Sequence, residues 1–292
     1  MAKIKLKKIL TTVLKISISA GAVWYLLHSL SAEEKDKIIS ALSSANWVYL
    51  GLAFLLFNAS KWASAYRLNR YFACIEVLLS QVKNIKLYYL GMFYNLFLPG
   101  GIGGDGYKVY YLNKTQNTSV KKLIAATLLD RLSGVVVLGF LALILALLSD
   151  LKSFVAGQSV YLVVLAILTF PVFWLIHKRF FASFQKEYFT SLIWGFGVQL
   201  SQLVCCYFIL KAIGVQAYYI EFLCLFLVSS VVAVLPITIG GVGAREIVMV
   251  NGGIIFPILS NDIGLAMAFS ILFFTITAIS SLWGLVYSVR FK

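Results

Sequence analysis

Pro99-Gly100-Gly101-Ile102-Gly103-Gly104-Asp105 breaks a long apolar run, and Gly240-Gly241-Val242-Gly243-Ala244-Arg245-Glu246, with Pro236 just upstream, breaks another in the same way. In each case the chain leaves a hydrophobic segment at a proline, passes through glycines and restarts beside charge. Backbone groups freed from a helix cost several kcal/mol each in hydrocarbon. Such breaks therefore persist only where protein or a wet cavity satisfies them. One break in each half of the chain points to a binding site between two halves.

The surrounding composition fixes the class. Of 292 residues 61% are hydrophobic and 12% charged, and several runs are long enough to cross a bilayer. The formal charge of +14 could serve nucleic acid, but the basic residues lie at the termini and between apolar runs. That is the pattern of topology signals and anionic-lipid contacts, so nucleic acid is not expected as a partner. Lys3, Lys5, Lys7 and Lys8 precede an apolar stretch that continues to Leu30 without a small-residue cleavage site, which reads as a retained first helix. Cys74, Cys205, Cys206 and Cys224 have no metal-binding spacing and read as packing residues. No catalytic residue, metal or cofactor is expected, because Walker A, HExxH and GxSxG sequences are absent.

Taken in order, the sequence predicts an all-α polytopic membrane protein. Full spans are expected at about Ile9–Leu30, Trp47–Tyr66, Leu123–Leu148, Val160–Ile176, Tyr188–Leu210 and Ile263–Val289. Lys61 is placed near enough to a span end to snorkel, and Arg67, Arg70, Lys83 and Lys86 are assigned to a cytoplasmic connection. The run Leu87–Leu98 is too short to cross at 1.5 Å per residue. Followed by the basic Lys108, Lys114, Lys121 and Lys122, it reads as one arm of a re-entrant hairpin. Glu221–Leu235 and Ile247–Leu259 form the corresponding second hairpin. The expected organisation is six full transmembrane helices plus two re-entrant helical hairpins in an inverted repeat. Residues 1–150 form the first repeat (hairpin around 87–117) and residues 151–292 the second (hairpin around 221–259), with both termini cytoplasmic. Eight full spans is the competing arrangement.

Several charges fall where hydrocarbon makes them costly. Arg131 lies nine residues beyond Lys122, about 14 Å along a helix and so near mid-membrane. Insertion scales set about 2.5 to 3.5 kcal/mol against each such residue, so a partner or cavity is expected. Adjacent helical residues point about 100° apart, hence Asp130 and Arg131 should meet different neighbours. Asp105 or Glu246 are the candidate partners of Arg131 in a structural ion pair. Asp105 is placed to cap the helix after Gly103-Gly104, while the first N–H groups after Gly243, together with Arg245, could hold a lipid phosphate. A structural turn and scaffold ion pairs are the plain alternatives at these sites. Residues 101–106 fit the letter of the G-x-G-x-x-G fingerprint, but no strand precedes them, so dinucleotide binding is excluded. His28 and His177 are expected at interfaces, and Tyr88, Tyr89, Tyr94, Tyr107, Tyr110 and Tyr111 in an aromatic belt.

At these residues the chain resembles the lysylphosphatidylglycerol synthase transmembrane-region family of flippase-like membrane proteins. Pro99 through Asp105 with Lys108, where the family commonly has arginine, looks like its first signature. Leu129-Asp130-Arg131 looks like the second, and Pro236 through Glu246 like the third. The resemblance implies an integral protein of the cytoplasmic membrane. Some members carry a fused aminoacyltransferase domain; none is visible here, so translocation rather than lipid synthesis is the implied role.

The expectation is thus a lipid flippase-like transporter, not an enzyme, for an anionic phospholipid or polyprenyl-phosphate-linked headgroup. The expected substrate-binding residues are Arg131, Arg245, Asp130, Asp105, Glu246, Lys108, Gly103, Gly104, Gly241 and Gly243. A separate synthase or glycosyltransferase and a second copy of the chain are candidate partners. The alternative is a membrane enzyme or accessory subunit of glycolipid or cell-envelope lipid synthesis, in which Asp105, Asp130 and Glu246 do acid/base or metal work; a scaffold is the third option.

Overall fold

The computed structural model describes Trp24, His28 and residues 30–97, 103–149, 159–234 and 243–290. Among these residues the regular structure is entirely helical: α1 (Ala32–Ser43), α2 (Trp47–Ala73), α3 (Gln81–Phe97), α4 (Gly103–Gln116), α5 (Val120–Leu148), α6 (Ser159–Phe180), α7 (Tyr188–Ala212), α8 (Tyr219–Val234), α9 (Ala244–Val250), α10 (Gly252–Ile255) and α11 (Ile263–Arg290). Short 3-10 turns at Ala182–Glu187 and Pro257–Leu259 join α6 to α7 and α10 to α11. Most of the expected first span, Gly241 and the boundary at 150–158 lie outside the described residues, as do both prolines of the breaks.

Among the described residues four helices are long and apolar enough to cross a membrane: α5, α6, α7 with its preceding turn, and α11 as far as Tyr287. The pair α1 and α2, bent by 83°, makes a fifth candidate. The protein is therefore a multi-pass integral membrane protein. Helix α6 shows what its surface meets: Val160, Val164, Leu168, Val172 and Leu175 are all exposed, and only Ala166, Phe173 and His177 are buried. An apolar surface on that scale suits lipid, not water.

Several boundaries correct the expectation. α2 runs seven residues past Tyr66 and carries Arg67 and Arg70 inside it, while α3 begins at Gln81 and takes in Lys83 and Lys86. Arg67 belongs to the buried core rather than a connection. Arg70 is paired with Glu187 at 2.8 Å, which ties the end of α2 to the turn before α7. The arm expected at Ile247–Leu259 is three short pieces, broken at Asn251 and again at Phe256 and Pro257. His177, expected at an interface, is fully buried with its Nδ1 3.2 Å from Gln185 Oε1. The tyrosines divide: Tyr110 is exposed, but Tyr89 is buried and donates to Asn58 at 2.7 Å.

Helices α3 and α4 pack antiparallel. Gly91 lies against Gly104, Tyr88 beneath Lys108 and Tyr111 beneath Lys83. A Cβ on Gly104 would fall on the carbonyl of Gly91, so only glycine permits this approach. Helices α8 and α9 also pack together, with Arg245 over Phe226, and Gly252 of α10 lies against Leu225. The largest packed pairs are α2 with α7, α3 with α11, and α5 with α8.

The hairpin contact yields a test with two signs. Gly104→Ala is expected to destabilise by about 1–3 kcal/mol, because the backbones must part. At Gly106, on the same helix with open space around it, alanine should stabilise by up to about 1 kcal/mol. Thermal unfolding in detergent reads both.

Candidate functional site

The site grows from the two hairpins and the long helices they pack against. A cavity of about 350 Å³ opens inside the bundle, and its wall includes Lys61 and Arg67 from α2, Lys108 from α4, Arg131 from α5 and Arg245 from α9. Among the described residues two carboxylates, Asp105 and Asp130, stand against these five basic side chains, a formal excess of three positive charges. Tyr88, Asn95, Gln199, Gln202 and Ser230 supply uncharged polar groups, and Phe57, Phe273 and Phe274 apolar wall.

Each carboxylate is committed to cations. Asp130 accepts from Arg67 Nε at 2.7 Å, and the Asp130 carbonyl accepts from Arg67 Nη2 at 3.0 Å. Asp105 takes Lys108 Nζ on one oxygen at 3.0 Å and Arg131 Nε on the other at 2.5 Å. Asp130 and Arg131 thus face different partners, and Asp105 rather than Glu246 is the carboxylate that meets Arg131. Buried charges survive in this setting because each pair is close and hydrogen-bonded.

Small residues make room for the cations. The guanidinium of Arg67 lies 3.3 Å from where a Gly134 Cβ would be and 3.5 Å from that of Gly195. The stem of Lys108 crosses Gly91, where an added Cβ would come within 2.6 Å of its Cε, and its ammonium sits 4.6 Å from the Tyr88 ring centre.

The geometry departs from expectation at several of these residues. Asp105 does not cap α4; it stands in the helix's first turn with both oxygens turned to Lys108 and Arg131. The free N–H of Gly104 is instead met from the other arm of the hairpin, by Asn95 Oδ1 at 2.7 Å. Glu246 is absent from the cavity wall, because it closes the start of its own helix, accepting from Gly243 N–H at 2.7 Å and from Ser270 at 2.8 Å. Gly243 has φ of 87°, a conformation that favours glycine. That N–H is therefore occupied within its own turn, and Arg245 reaches the cavity wall from a helix of only seven residues. Gly103 and Gly104 shape the hairpin and do not line the cavity.

Two cavity residues escaped the sequence reading. Lys61 and Arg67 lie toward the basic end of an apolar run, where a positive residue reads as a topology signal. For Arg67, the only sign in the sequence was an unmatched acid, Asp130, on another helix. Among the described residues no group of three or more histidine, cysteine or acidic side chains stands together to hold a metal.

The family model described as the lysylphosphatidylglycerol synthase TM region matches residues 12–284. The chain belongs to that family. A UPF0104 membrane protein of Pyrococcus horikoshii is 23% identical to it, across 73% of this chain and 78% of the archaeal one. In this member of the lysylphosphatidylglycerol synthase TM region family, all three stretches that carry the resemblance converge. Asp105 and Lys108, Asp130 and Arg131, and Arg245 line one cavity although 140 positions separate the first from the last.

Proposed function

We propose that this protein moves an anionic lipid headgroup, of a phospholipid or a polyprenyl-phosphate carrier, across the cytoplasmic membrane. The observation that carries the reading is the placement of five cations in one cavity inside the bundle, with a second, apolar cavity sharing its wall. That second cavity, of about 470 Å³, lies among α5, α6 and α8, and Val135 borders both. An amphipathic ligand needs such a junction: charge on one side, hydrocarbon on the other.

The packing supports an inverted repeat. If α2, α3 and α5 exchange with α7, α8 and α11, the α3–α11 contact becomes the α8–α5 contact, the hairpin α3–α4 becomes α8–α9, and α2–α7 maps onto itself. In this reading the two hairpins are re-entrant, six helices span and both termini are cytoplasmic. The cavity then lies where discontinuous helices from the two halves meet, the usual position of a transporter's substrate site. The protein acts as a carrier without bond making or breaking, alone or beside a separate synthase.

Proteoliposomes test this directly. Headgroup-labelled anionic phospholipid and polyprenyl phosphate, loaded into one leaflet, should equilibrate faster with protein than in empty vesicles. If every lipid of the panel stays on its original leaflet, the proposal fails; a covalently altered lipid would favour a membrane enzyme.

A further inference from the structure

Pairing each carboxylate in the cavity with its cations separates the five into two groups. Arg67 is matched by Asp130, and Lys108 and Arg131 share Asp105. Lys61 and Arg245 remain, and among the described residues no carboxylate oxygen stands within ion-pairing distance of either. Both rest on aromatic faces instead. Lys61 Nζ is 4.4 Å from the centre of Phe57, and the Arg245 guanidinium is 4.4 Å from Phe273 and 5.5 Å from Phe226. The three rings form a continuous floor, with Phe57 edge-on to Phe273 at 5.7 Å and Phe226 against Phe273 at 4.9 Å.

This floor holds the cations without neutralising them. A ring quadrupole stabilises a desolvated cation by less than it costs to leave an ion alone in a low-dielectric interior. Arg245 also feels the field of Glu246, whose carboxylate oxygens are already taken by Gly243 N–H and Ser270. Arg245 Nε is buried without a hydrogen-bond partner, and so is the hydroxyl of Ser230, which lines the same cavity. Two cations on linked rings with no carboxylate at ion-pairing distance, an unused guanidinium donor and an unused hydroxyl describe half of a site whose other half is an anion.

We infer that Lys61 and Arg245 form the phosphate-binding subsite of the cavity, and that Arg131, engaged by Asp105, is a neighbour of that subsite rather than its main ligand. Guanidinium presents a planar fork to phosphate oxygens and ammonium a movable point charge. Together they match a phosphate monoester, which carries close to two negative charges near neutral pH. The inference rests on the transport reading only in taking the phosphate to be borne by a lipid. Free phosphate has the same chemistry.

The test uses the full-length protein in an uncharged detergent, with thermal stabilisation measured against three probes: phosphatidic acid, inorganic phosphate and the zwitterionic phosphatidylcholine. Phosphatidic acid is expected to raise Tm saturably. Lys61→Gln and Arg245→Gln should each weaken its apparent affinity by about tenfold or more. Lys61→Arg, which keeps the charge, should retain most of it and shows that the position is not merely structural. Inorganic phosphate giving the same Lys61-dependent stabilisation makes the headgroup alone sufficient and upholds the subsite. Equal response to phosphatidylcholine, or unaltered phosphatidic acid affinity in folded Lys61→Gln and Arg245→Gln proteins, overturns it.

The same variants in proteoliposomes separate the two proposals. Lipid that still moves at the wild-type rate in both variants sinks the subsite and spares transport. Lys61-dependent binding in a protein that moves no lipid does the reverse.

Discussion

Asp130→Ala is expected to cost about 3–5 kcal/mol of stability, a large share of the 5–15 kcal/mol typical of a folded domain. The substitution removes the acceptor of Arg67 Nε and leaves a guanidinium that is 5% exposed among α2, α5 and α7. One of its nitrogens, Nη1, already lacks a hydrogen bond, so no reserve partner takes over. The expected result is a markedly lower Tm in detergent and a reduced yield of folded protein from membranes. The double variant Arg67→Met/Asp130→Ala removes both charges, and exchanging a buried pair for apolar groups is often neutral or better. It should therefore recover most of the lost stability. A single variant that melts like the wild type would show that water reaches Arg67 freely, and the buried-pair account would fail.

The second large effect is expected at Asp105, where one carboxylate serves two cations. Asp105→Asn keeps the shape but removes the charge that offsets Lys108 and Arg131. The cavity then gains a positive charge that an anionic ligand can satisfy. Apparent affinity for phosphatidic acid is expected to rise about tenfold, as each 1.4 kcal/mol of added attraction provides. Movement of labelled lipid in proteoliposomes should fall, because the headgroup has lost the internal anion that competes for Arg131 and favours release. Weaker binding in the variant would mean that Asp105 organises the site rather than competing within it.

The sequence showed where the chain had to break but not what the broken ends would touch. Glycine and proline mark the interruption of a helix locally, so the separation of α3 from α4 and of α8 from α9 was legible from composition. The divergence of Arg131 from Asp130 followed from helical geometry alone. Pairings across helices were not legible. Arg67 and Asp130 are 63 positions apart, and only their burial on facing helices makes them one unit. Lys61 was hidden for a related reason: a lysine in the second half of an apolar run has an ordinary use as an anchor, and its part in the cavity emerges only when Phe57 and Phe273 are seen beneath two cations. Glu246 misled in the opposite direction. Its place beside Arg245 in a charged motif looked functional, whereas its carboxylate holds the backbone of its own turn.

The two arms that reach the cavity differ in mechanical character. The first is clamped glycine to glycine, with Asn95 of one strut fastened to the backbone of the other. The second is a jointed linkage, with a seven-residue rod, a four-residue rod and a 3-10 elbow in succession. Under the transport reading proposed above, load placed across the two arms would fall first on these joints, so the side that carries Arg245 is the one expected to yield and the side that carries Asp105 the one expected to hold.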